Sequence, residues 1–359
     1  MDRQIVGSYL TERFGTEVTI TSLVQAFPGH SRETWFISAR LGSGSEVEER
    51  DLVLRVNPPS GGGVPVPLRV EYEVYKRLWP SPVPVAEPLW YDEDIDYFEG
   101  RPHFVRNMVP GHTLIKGLDD PGPQGEALRE RIALEHAEKL ALLHTLDWRE
   151  FGLNEVLPVP DSPADSLRLE YDTWRGHWEK GRTDPFPMIT EALYWLKDHL
   201  PNDTPRISLL KGNNGVGEEI WRDEKIVAFS DWELASLGDA CQDWGFTQGM
   251  LDIWDAERTL AYYEQKAGFK VSRKTLAFSN VWTIFKIIVN LNSTMNSYLD
   301  KRDLRAVIVN QGFGTVKLLE RMLTSVTGLD DIEEASRIIL NKFASPYQKK
   351  RKSSVRGIK

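Results

Sequence analysis

The segment from Ile207 to Phe246, ISLLKGNNGVGEEIWRDEKIVAFSDWELASLGDACQDWGF, constrains this chain more than any other. It begins with a short apolar run and continues into a loop rich in Gly and Asn that ends near Gly217. Two apolar strands then turn at Arg222-Asp223-Glu224, and Ser230-Asp231-Trp232-Glu233 leads toward a helix. Carboxylates at the ends of apolar strands are what a metal and phosphate site requires. The segment therefore predicts such a site.

The end of this segment carries the motif Asp231-Trp232-Glu233, followed by Leu234-Ala235-Ser236-Leu237-Gly238-Asp239 and by Asp243. The motif resembles the aminoglycoside phosphotransferase and choline kinase family, close to the phosphotransferase-like domain fused to some acyl-CoA dehydrogenases. The resemblance extends from about Val18 to Ser325. It implies an α+β, two-lobed protein-kinase-like fold, with a small β-rich N-terminal lobe and a larger helical C-terminal lobe.

The catalytic loop departs from the family pattern, which is His-Gly-Asp with an Asn five residues after the Asp. Here Lys211 stands for the His, Gly212 is kept, Asn213 stands for the catalytic Asp, and Glu218 replaces the metal-binding Asn. The resemblance implies that Lys211 and Asn213 occupy the catalytic positions. It also implies that Asp231 and Glu218 hold magnesium beside bound ATP or another nucleotide. Because Asn cannot accept a proton as a carboxylate does, phosphoryl transfer is expected to be impaired or altered.

The altered loop has more than one explanation. Relative to the family pattern, negative charge has moved from the base position to the metal position, which suits a site that holds a phosphate without activating a hydroxyl. Asn213-Asn214-Gly215 is also an ordinary turn sequence. A loop that no longer has a catalytic role could have acquired such a sequence. A third explanation is a working enzyme in which Glu218 ligates magnesium through its oxygen atoms and Lys211 acts on phosphate or acceptor.

Three N-terminal features match the nucleotide-binding parts of the resembled family. Gly29 and Ser31 fall in the turn that covers the nucleotide phosphates there, although Pro28-Gly29 is equally an ordinary hairpin turn. Arg55, near the end of the apolar strand DLVLRV, stands where the family binds the α- and β-phosphates. Glu71, on the next predicted helix, is expected to form an ion pair with Arg55.

The run HFVRNMVPGHTL resembles the linker between the lobes, where backbone groups from Asn107 to Val109 would meet an adenine. The expected domains are a nucleotide-binding lobe at 1–110, a helical lobe at 111–345 and a basic tail at 346–359. Within the helical lobe, His144 is expected to be a buried packing residue. Apolar periodicity predicts helices up to Phe14 and at 68–78, 124–146, 167–178, 188–200, 257–267, 280–298, 305–325 and 331–343.

Composition bears on partners and compartment. The net charge is -9, and six of the 44 basic residues lie in the last eleven positions, so the rest of the chain is acidic and is not expected to bind nucleic acid. The tail is either a solvated terminus or a contact for an anionic partner such as lipid. The single cysteine, Cys241, fits a reducing cytoplasm. No signal peptide is expected, and the apolar run from Val281 to Leu291 is too short to span a bilayer.

Three function hypotheses follow. The first is a pseudokinase-like protein that binds a nucleotide or another phosphate with impaired transfer. The second is an active phosphotransferase, dependent on ATP and magnesium, or a repurposed enzyme acting on a small hydroxylated acceptor. The third is a non-catalytic scaffold with an empty cleft. The sequence does not identify the acceptor.

Overall fold

The computed structural model describes residues 1–26, 31–44, 47–58, 66–215, 217–246 and 253–327. Three predictions lie outside these residues: the role of Gly29, the helix at 331–343 and the contacts of the basic tail. The described residues form a small lobe built on one sheet and a larger lobe that is mainly helical. This is the architecture expected from the sequence.

The small lobe contains one antiparallel sheet and two helices. Its elements are α1 (Arg3–Phe14), β1 (Val18–Gln25), β2 (Glu33–Leu41), β3 (Glu48–Val56), α2 (Leu68–Leu78), β4 (Pro88–Asp92) and β5 (His103–Asn107), with a 3-10 turn at Phe98–Gly100. The strand order is β1-β2-β3-β5-β4, so β5 lies between β3 and β4. Helix α1 is capped by Asp2, whose carboxylate accepts a hydrogen bond from the backbone N of Gln4.

Because side chains alternate along each strand, the two faces of this sheet contact different parts of the protein. Leu54 pairs with Val105 across β3 and β5, and both lie in the apolar core that also contains the buried side of α1. The next pair, Arg55 and Phe104, therefore lies on the opposite face. Phe104 packs there among the residues of α2, and Arg55 faces the larger lobe. The register of β3 against β5 thus aims Arg55 into the space between the lobes.

The larger lobe is organised around its longest described helix, Arg273–Leu299, which buries Trp282, Phe285 and Ile288. None of the described helices is both long and apolar enough to cross a membrane. The helices are α3 (Pro123–Thr145), α4 (Ser166–Gly181), α5 (Pro187–Asp198), α6 (Cys241–Phe246), α7 (Ala256–Ala267), α8 (Arg273–Leu299), α9 (Ala306–Val309) and α10 (Val316–Val326), with 3-10 turns at Leu153–Glu155 and Pro163–Asp165.

Two predicted helices need correction. The helix expected at 280–298 begins earlier, at Arg273, because Ser272 caps it by accepting a hydrogen bond from the backbone N of Thr275. The helix expected at 305–325 is interrupted by a π-helical turn, Asn310–Thr315, between α9 and α10. Gly312 in this turn packs so closely on α8 that a Cβ atom would lie 2.0 Å from Met295 Cγ. Apolar periodicity did not reveal this close approach.

Four short strands carry the segment that the sequence singled out. They are β6 (Ser208–Leu210), β7 (Glu219–Arg222), β8 (Lys225–Phe229) and β9 (Ser236–Gly238). Strands β7 and β8 form a hairpin whose two turn residues, Asp223 and Glu224, have φ values of 51° and 62°, as a type I′ turn requires. Strand β6 pairs with β9. The loop after β6 and the residues after β8 therefore meet at one place.

Candidate active site

Gly212 sets the conformation of the loop that follows β6. Its φ is 81°, and a Cβ atom there would lie 2.3 Å from the carbonyl oxygen of Leu234. The two loop amides are held by one side chain: Asp243 Oδ1 accepts from Gly212 N at 2.8 Å, and Asp243 Oδ2 accepts from Lys211 N at 2.9 Å. Only glycine fits this backbone, and the anchored amides fix the positions of Lys211 and Asn213.

Asp243, on α6, is itself held by two other helices. The His144 Nε2 atom lies 3.0 Å from Asp243 Oδ2, and His144 Nδ1 lies 2.7 Å from the hydroxyl oxygen of Tyr263. All three side chains are buried. Burial alone would raise the pKa of Asp243, but the hydrogen bond with His144 and those from the two loop amides hold that pKa below its ordinary value. His144 is thus a buried link between α3, α6 and α7 beneath the loop.

Asp231 follows β8 and faces the loop. Its φ is 62°, in the left-handed region that Asp enters more readily than most residues. Its backbone N donates to the Tyr75 hydroxyl at 3.2 Å. Its two carboxylate oxygens accept from different lobes: Oδ1 from Arg55 Nη2 at 3.1 Å, and Oδ2 from Asn213 Nδ2 at 2.8 Å. Asp231 therefore joins the strand of the small lobe to the loop of the larger one.

Lys211 and Glu218 complete the surroundings of Asp231. The Lys211 side chain is fully buried, and its Nζ lies 3.4 Å from the carbonyl oxygen of Asp231. Burial lowers the pKa of Lys211, against the opposing pull of Asp231 and Glu218. For Glu218 the sign is reversed: burial, and then the charge of Asp231, raise its pKa to about 7. An ammonium and two carboxyl groups thus share one enclosed space.

The carboxylates present suit magnesium in their chemistry. Mg²⁺ prefers oxygen ligands and is commonly bound by one or two carboxylates together with substrate phosphates. Asp231 and Glu218 supply that number, and the hydrogen bond between their carboxyl groups shows that they face each other. Within the described ranges no group of three or more His, Cys, Asp or Glu side chains could hold a metal ion. The set therefore fits a magnesium ion whose coordination a phosphate group completes.

The predicted ion pair between Arg55 and Glu71 is present, with Arg55 Nη2 3.2 Å from Glu71 Oε2. The same Nη2 atom lies 3.1 Å from Asp231 Oδ1 and 3.7 Å from Glu233 Oε2. Burial by itself would lower the pKa of Arg55, but the three carboxylates, led by Glu71, raise it above its ordinary value. Burial, followed by the charge of Asp231, raises the pKa of Glu233 to about 8. Arg55 is therefore held in its charged form beside three carboxyl groups.

Three residues near this site had no assigned role in the sequence. Glu233 belongs to the motif that was recognised, so its position was available from the sequence. Arg32 and Arg106 were missed, and both are buried in the small lobe. Arg32 donates to the carbonyl oxygen of Val66 at 2.5 Å. Only the register of β3 against β5, which places Arg106 opposite Val53, could have indicated Arg106.

A cleft of about 1060 Å³ lies between the lobes, and Arg106 is one of its lining residues. Its walls include Phe36 and Val53 from the sheet, Val109 from the connecting segment, and Ile220 and Trp221 from β7. The segment is tied to β7 by reciprocal backbone hydrogen bonds of 2.8 Å between His112 and Trp221. The cleft thus has apolar walls with charged side chains, Arg106 among them, and Val53 in its wall lies two residues from Arg55 on β3.

The remaining predicted nucleotide-binding residues are placed differently. Val109 lines the cleft, and its predicted backbone contact with an adenine stays a prediction. The Asn107 side chain is engaged elsewhere, because its Nδ2 donates to Glu87 Oε2 at 2.6 Å. Ser31 is half-buried and adjoins Arg32, whose Nη1 lies 3.5 Å from the Ser31 carbonyl oxygen. The structure thus brings Lys211, Asn213, Glu218, Asp231, Arg55 and Glu71 together, with Val109 in the adjoining cleft.

The fold and the cluster define a two-lobed, kinase-like protein, and comparisons with known proteins specify the family. The pattern of the phosphotransferase enzyme family, APH, matches residues 25–277. The chain therefore belongs to this family, which confirms the resemblance inferred from the Asp231-Trp232-Glu233 motif.

Solved structures share the fold. A candidate aminoglycoside phosphotransferase from Ralstonia eutropha JMP134 aligns with a TM-score of 0.64 and 21% identity, over 91% of this chain and 98% of the other. A thermostable mutant of aminoglycoside phosphotransferase APH(4)-Ia, in complex with ADP and hygromycin B, aligns with a TM-score of 0.60 and 17% identity, over 91% and 99% of the two chains. These similarities confirm the α+β, two-lobed architecture.

Curated relatives are longer proteins. Acyl-CoA dehydrogenase family member 11 of Gallus gallus is 26% identical over 249 residues, which are 67% of this chain and 31% of the relative. Acyl-CoA dehydrogenase family member 10 of Mus musculus is 29% identical over 240 residues, 66% of this chain and 21% of the relative. The chain thus spans less than a third of the length of either relative.

Proposed function

We propose that this chain binds a nucleotide between its lobes and that its phosphoryl transfer is impaired or altered, as in a pseudokinase. One observation carries the proposal: Asn213 Nδ2 donates a hydrogen bond to Asp231 Oδ2 at 2.8 Å. The base position therefore holds a donor. An amide cannot accept the proton of an attacking hydroxyl, and the loss of a general base typically slows such reactions by about 10² to 10⁴.

Nucleotide binding is supported by the cleft and by the cations beside it. The apolar walls suit a base, and Arg55 is held as a cation where phosphates would extend from the cleft. Similar solved structures of APH(4)-Ia mutants contain ADP or AMP-PNP together with hygromycin B. Magnesium, when bound by Asp231 and Glu218, would neutralise phosphate charge. We propose that this chain likewise binds a nucleotide together with magnesium. We expect any acceptor to be a small hydroxylated molecule.

A second candidate is an active or repurposed phosphotransferase, and one observation favours it. The pKa of Glu218 is raised to about 7, by burial and by the charge of Asp231. A carboxyl group with a pKa near the working pH can act as a general base. In this alternative Glu218 takes over the proton that Asn213 cannot accept, and Lys211 neutralises charge on the phosphate.

Calorimetry tests the proposed binding. ATP and ADP are titrated, with and without magnesium, into the full chain and into Asp231→Ala. We expect magnesium-dependent binding to the native chain and its loss in the variant, because Asp231 would be a metal ligand. Since Asp231 also pairs with Arg55, the unfolding of the variant is measured alongside, and Asp119→Ala, at an exposed carboxylate, is the control. Absence of nucleotide binding to the native chain would contradict both candidates and leave the scaffold hypothesis.

A further inference from the structure

Arg106 is one of the residues that line the cleft between the lobes. In the sheet register it is opposite Val53, and Val53 is opposite Phe36, so these three side chains form one row on the cleft face. All three line the cleft. Only 6% of Arg106 is exposed, whereas 41% of Phe36 is exposed. The row therefore runs from an open apolar edge to a buried guanidinium.

Arg106 uses few of its hydrogen-bond donors. Nη1 donates to the backbone carbonyl oxygen of Asn107 at 3.3 Å, and the guanidinium carbon lies 5.6 Å from the centre of the Tyr75 ring. Nε is buried without a hydrogen-bond partner. Among the described residues no carboxylate oxygen lies within 4.0 Å of the Arg106 guanidinium, whereas Arg55 contacts three. A buried guanidinium with unused donors favours a ligand that presents acceptors.

We infer the orientation of a bound nucleotide from the positions of Arg55 and of the connecting segment. Its phosphates belong beside Arg55 and Asp231, at the charged end. In a purine, the sugar is attached at N9, and the edge that carries the C6 substituent lies on the far side of the base. A base that enters the cleft with its phosphates toward Arg55 therefore presents that edge to the connecting segment, at Arg106 and Asn107.

The chemistry of this edge differs between the two common purines. Adenine carries an amino group at C6, which is a donor, whereas guanine carries a carbonyl oxygen, O6, with N7 as a neighbouring acceptor. Arginine has donors only. The Asn107 carbonyl oxygen accepts one hydrogen bond from Arg106 and keeps one lone pair, but the unused donors of Arg106 beside it cannot accept from an adenine amino group. An adenine amino group would lie against an N–H donor of Arg106, whereas guanine O6 would accept a hydrogen bond from that donor.

We propose that Arg106 makes this cleft selective for guanosine nucleotides, and more generally for 6-oxopurine nucleotides, over adenosine nucleotides. This inference rests on the proposed nucleotide-binding function. A bidentate contact between arginine and guanine is worth a discrimination of about five- to 150-fold. We therefore expect GDP to bind the native chain more tightly than ADP by a factor in that range.

The test is calorimetric titration of ADP, GDP and IDP, each with magnesium, into the full chain and two variants. IDP has the O6 atom of guanine but lacks its 2-amino group, so it should bind like GDP. In Arg106→Met, which keeps the length and apolar stem of the side chain, the preference for GDP and IDP over ADP should disappear. Arg129→Met is the matched control. Arg129 is also largely buried but donates to the carbonyl oxygens of Leu118 and Asp120, so this variant should keep the preference.

Each other outcome overturns the proposal in a distinguishable way. If ADP binds the native chain as tightly as GDP, selectivity is absent although nucleotide binding stands. If IDP behaves like ADP, the contact at O6 is wrong. Equal weakening of all three nucleotides in Arg106→Met would assign Arg106 a structural role. If no purine nucleotide binds the native chain, the proposed function fails as well. Should Arg106→Met not fold, the titrations of GDP, IDP and ADP into the native chain decide alone.

Discussion

Gly212 shows how a single residue determines the geometry of the candidate site. Its φ of 81° belongs to the left-handed region, and Leu234 leaves no room for a Cβ atom. Retention of this glycine while its neighbours are Lys211 and Asn213 means that the loop keeps its shape although its chemistry differs. The backbone amides that Asp243 holds would lose their positions if the loop moved.

We predict that Gly212→Ala destabilises the protein by more than the about 1–3 kcal/mol expected from a strained φ alone. The added methyl group would lie 2.3 Å from a backbone oxygen that cannot rotate away. Urea unfolding measures the loss. Gly268→Ala is the matched control, because Gly268 has a φ of 74° with no atom within 4 Å of its Cβ position. If the free energy of unfolding fell equally in the two variants, the contact with Leu234 would add no destabilisation.

The residues of the site differ in how far their positions could be predicted from the sequence. Lys211, Asn213, Glu218 and Asp231 lie within one contiguous segment, so a motif match was sufficient to bring them together. Arg106 lies more than 100 residues earlier in the chain, and its exposure to the cleft depends on strand register. A charged residue inside a strand usually faces solvent, so no feature of the sequence placed Arg106 in the site.

At the scale of elements, three helices support the loop through one buried chain of contacts. Asp243 comes from α6, His144 from α3 and Tyr263 from α7. The apolar periodicity of α3 and α7 predicted these helices, but not that they would meet around a carboxylate. That meeting depends on packing between distant helices. The π-helical turn at Asn310–Thr315 was missed for the same reason, since it depends on the contact of Gly312 with Met295.

We predict that Asp243→Asn lowers the free energy of unfolding at neutral pH, by about 1–3 kcal/mol, because the new amide would direct a donor at a loop N–H. The pKa of Asp243 is lowered in the folded protein from an ordinary value of 3.8. Its stabilising contribution is therefore complete above pH 3.8 and is lost as the pH falls through the folded-state value. The difference between the native chain and Asp243→Asn should shrink over that range.

Urea unfolding from pH 7 to pH 3 measures this dependence. Asp119→Asn, at an exposed carboxylate, controls for the loss of one negative charge. A difference between the native chain and Asp243→Asn that stays constant over this range would contradict the assigned role of the carboxylate.

At the scale of the whole molecule, the fold and the cleft were more predictable than the chemistry. The family pattern covers residues 25–277, and the two-lobed arrangement agrees with the sequence prediction. The structure brings Arg55 and Glu71 together and places Val109 in the cleft wall, while their nucleotide-binding roles stay predictions. The cluster around Asp231 contains cations from both lobes, namely Arg55 and Lys211. The same cluster holds the carboxyl groups of Glu71, Glu218 and Glu233, so an anionic ligand would meet basic side chains that are already paired with acids.

Restoring the carboxylate at position 213 tests the central claim most directly. Phosphate release from ATP and from GTP, with water as the acceptor, is measured for the native chain, Asn213→Asp and Asn213→Ala, with nucleotide affinity measured in parallel. We predict that Asn213→Asp releases phosphate faster than the native chain by about 10² or more, while Asn213→Ala stays slow, because only the carboxylate can accept a proton. Release by the native chain that equals or exceeds that of Asn213→Asp would contradict the account and favour an enzyme that uses Glu218 instead.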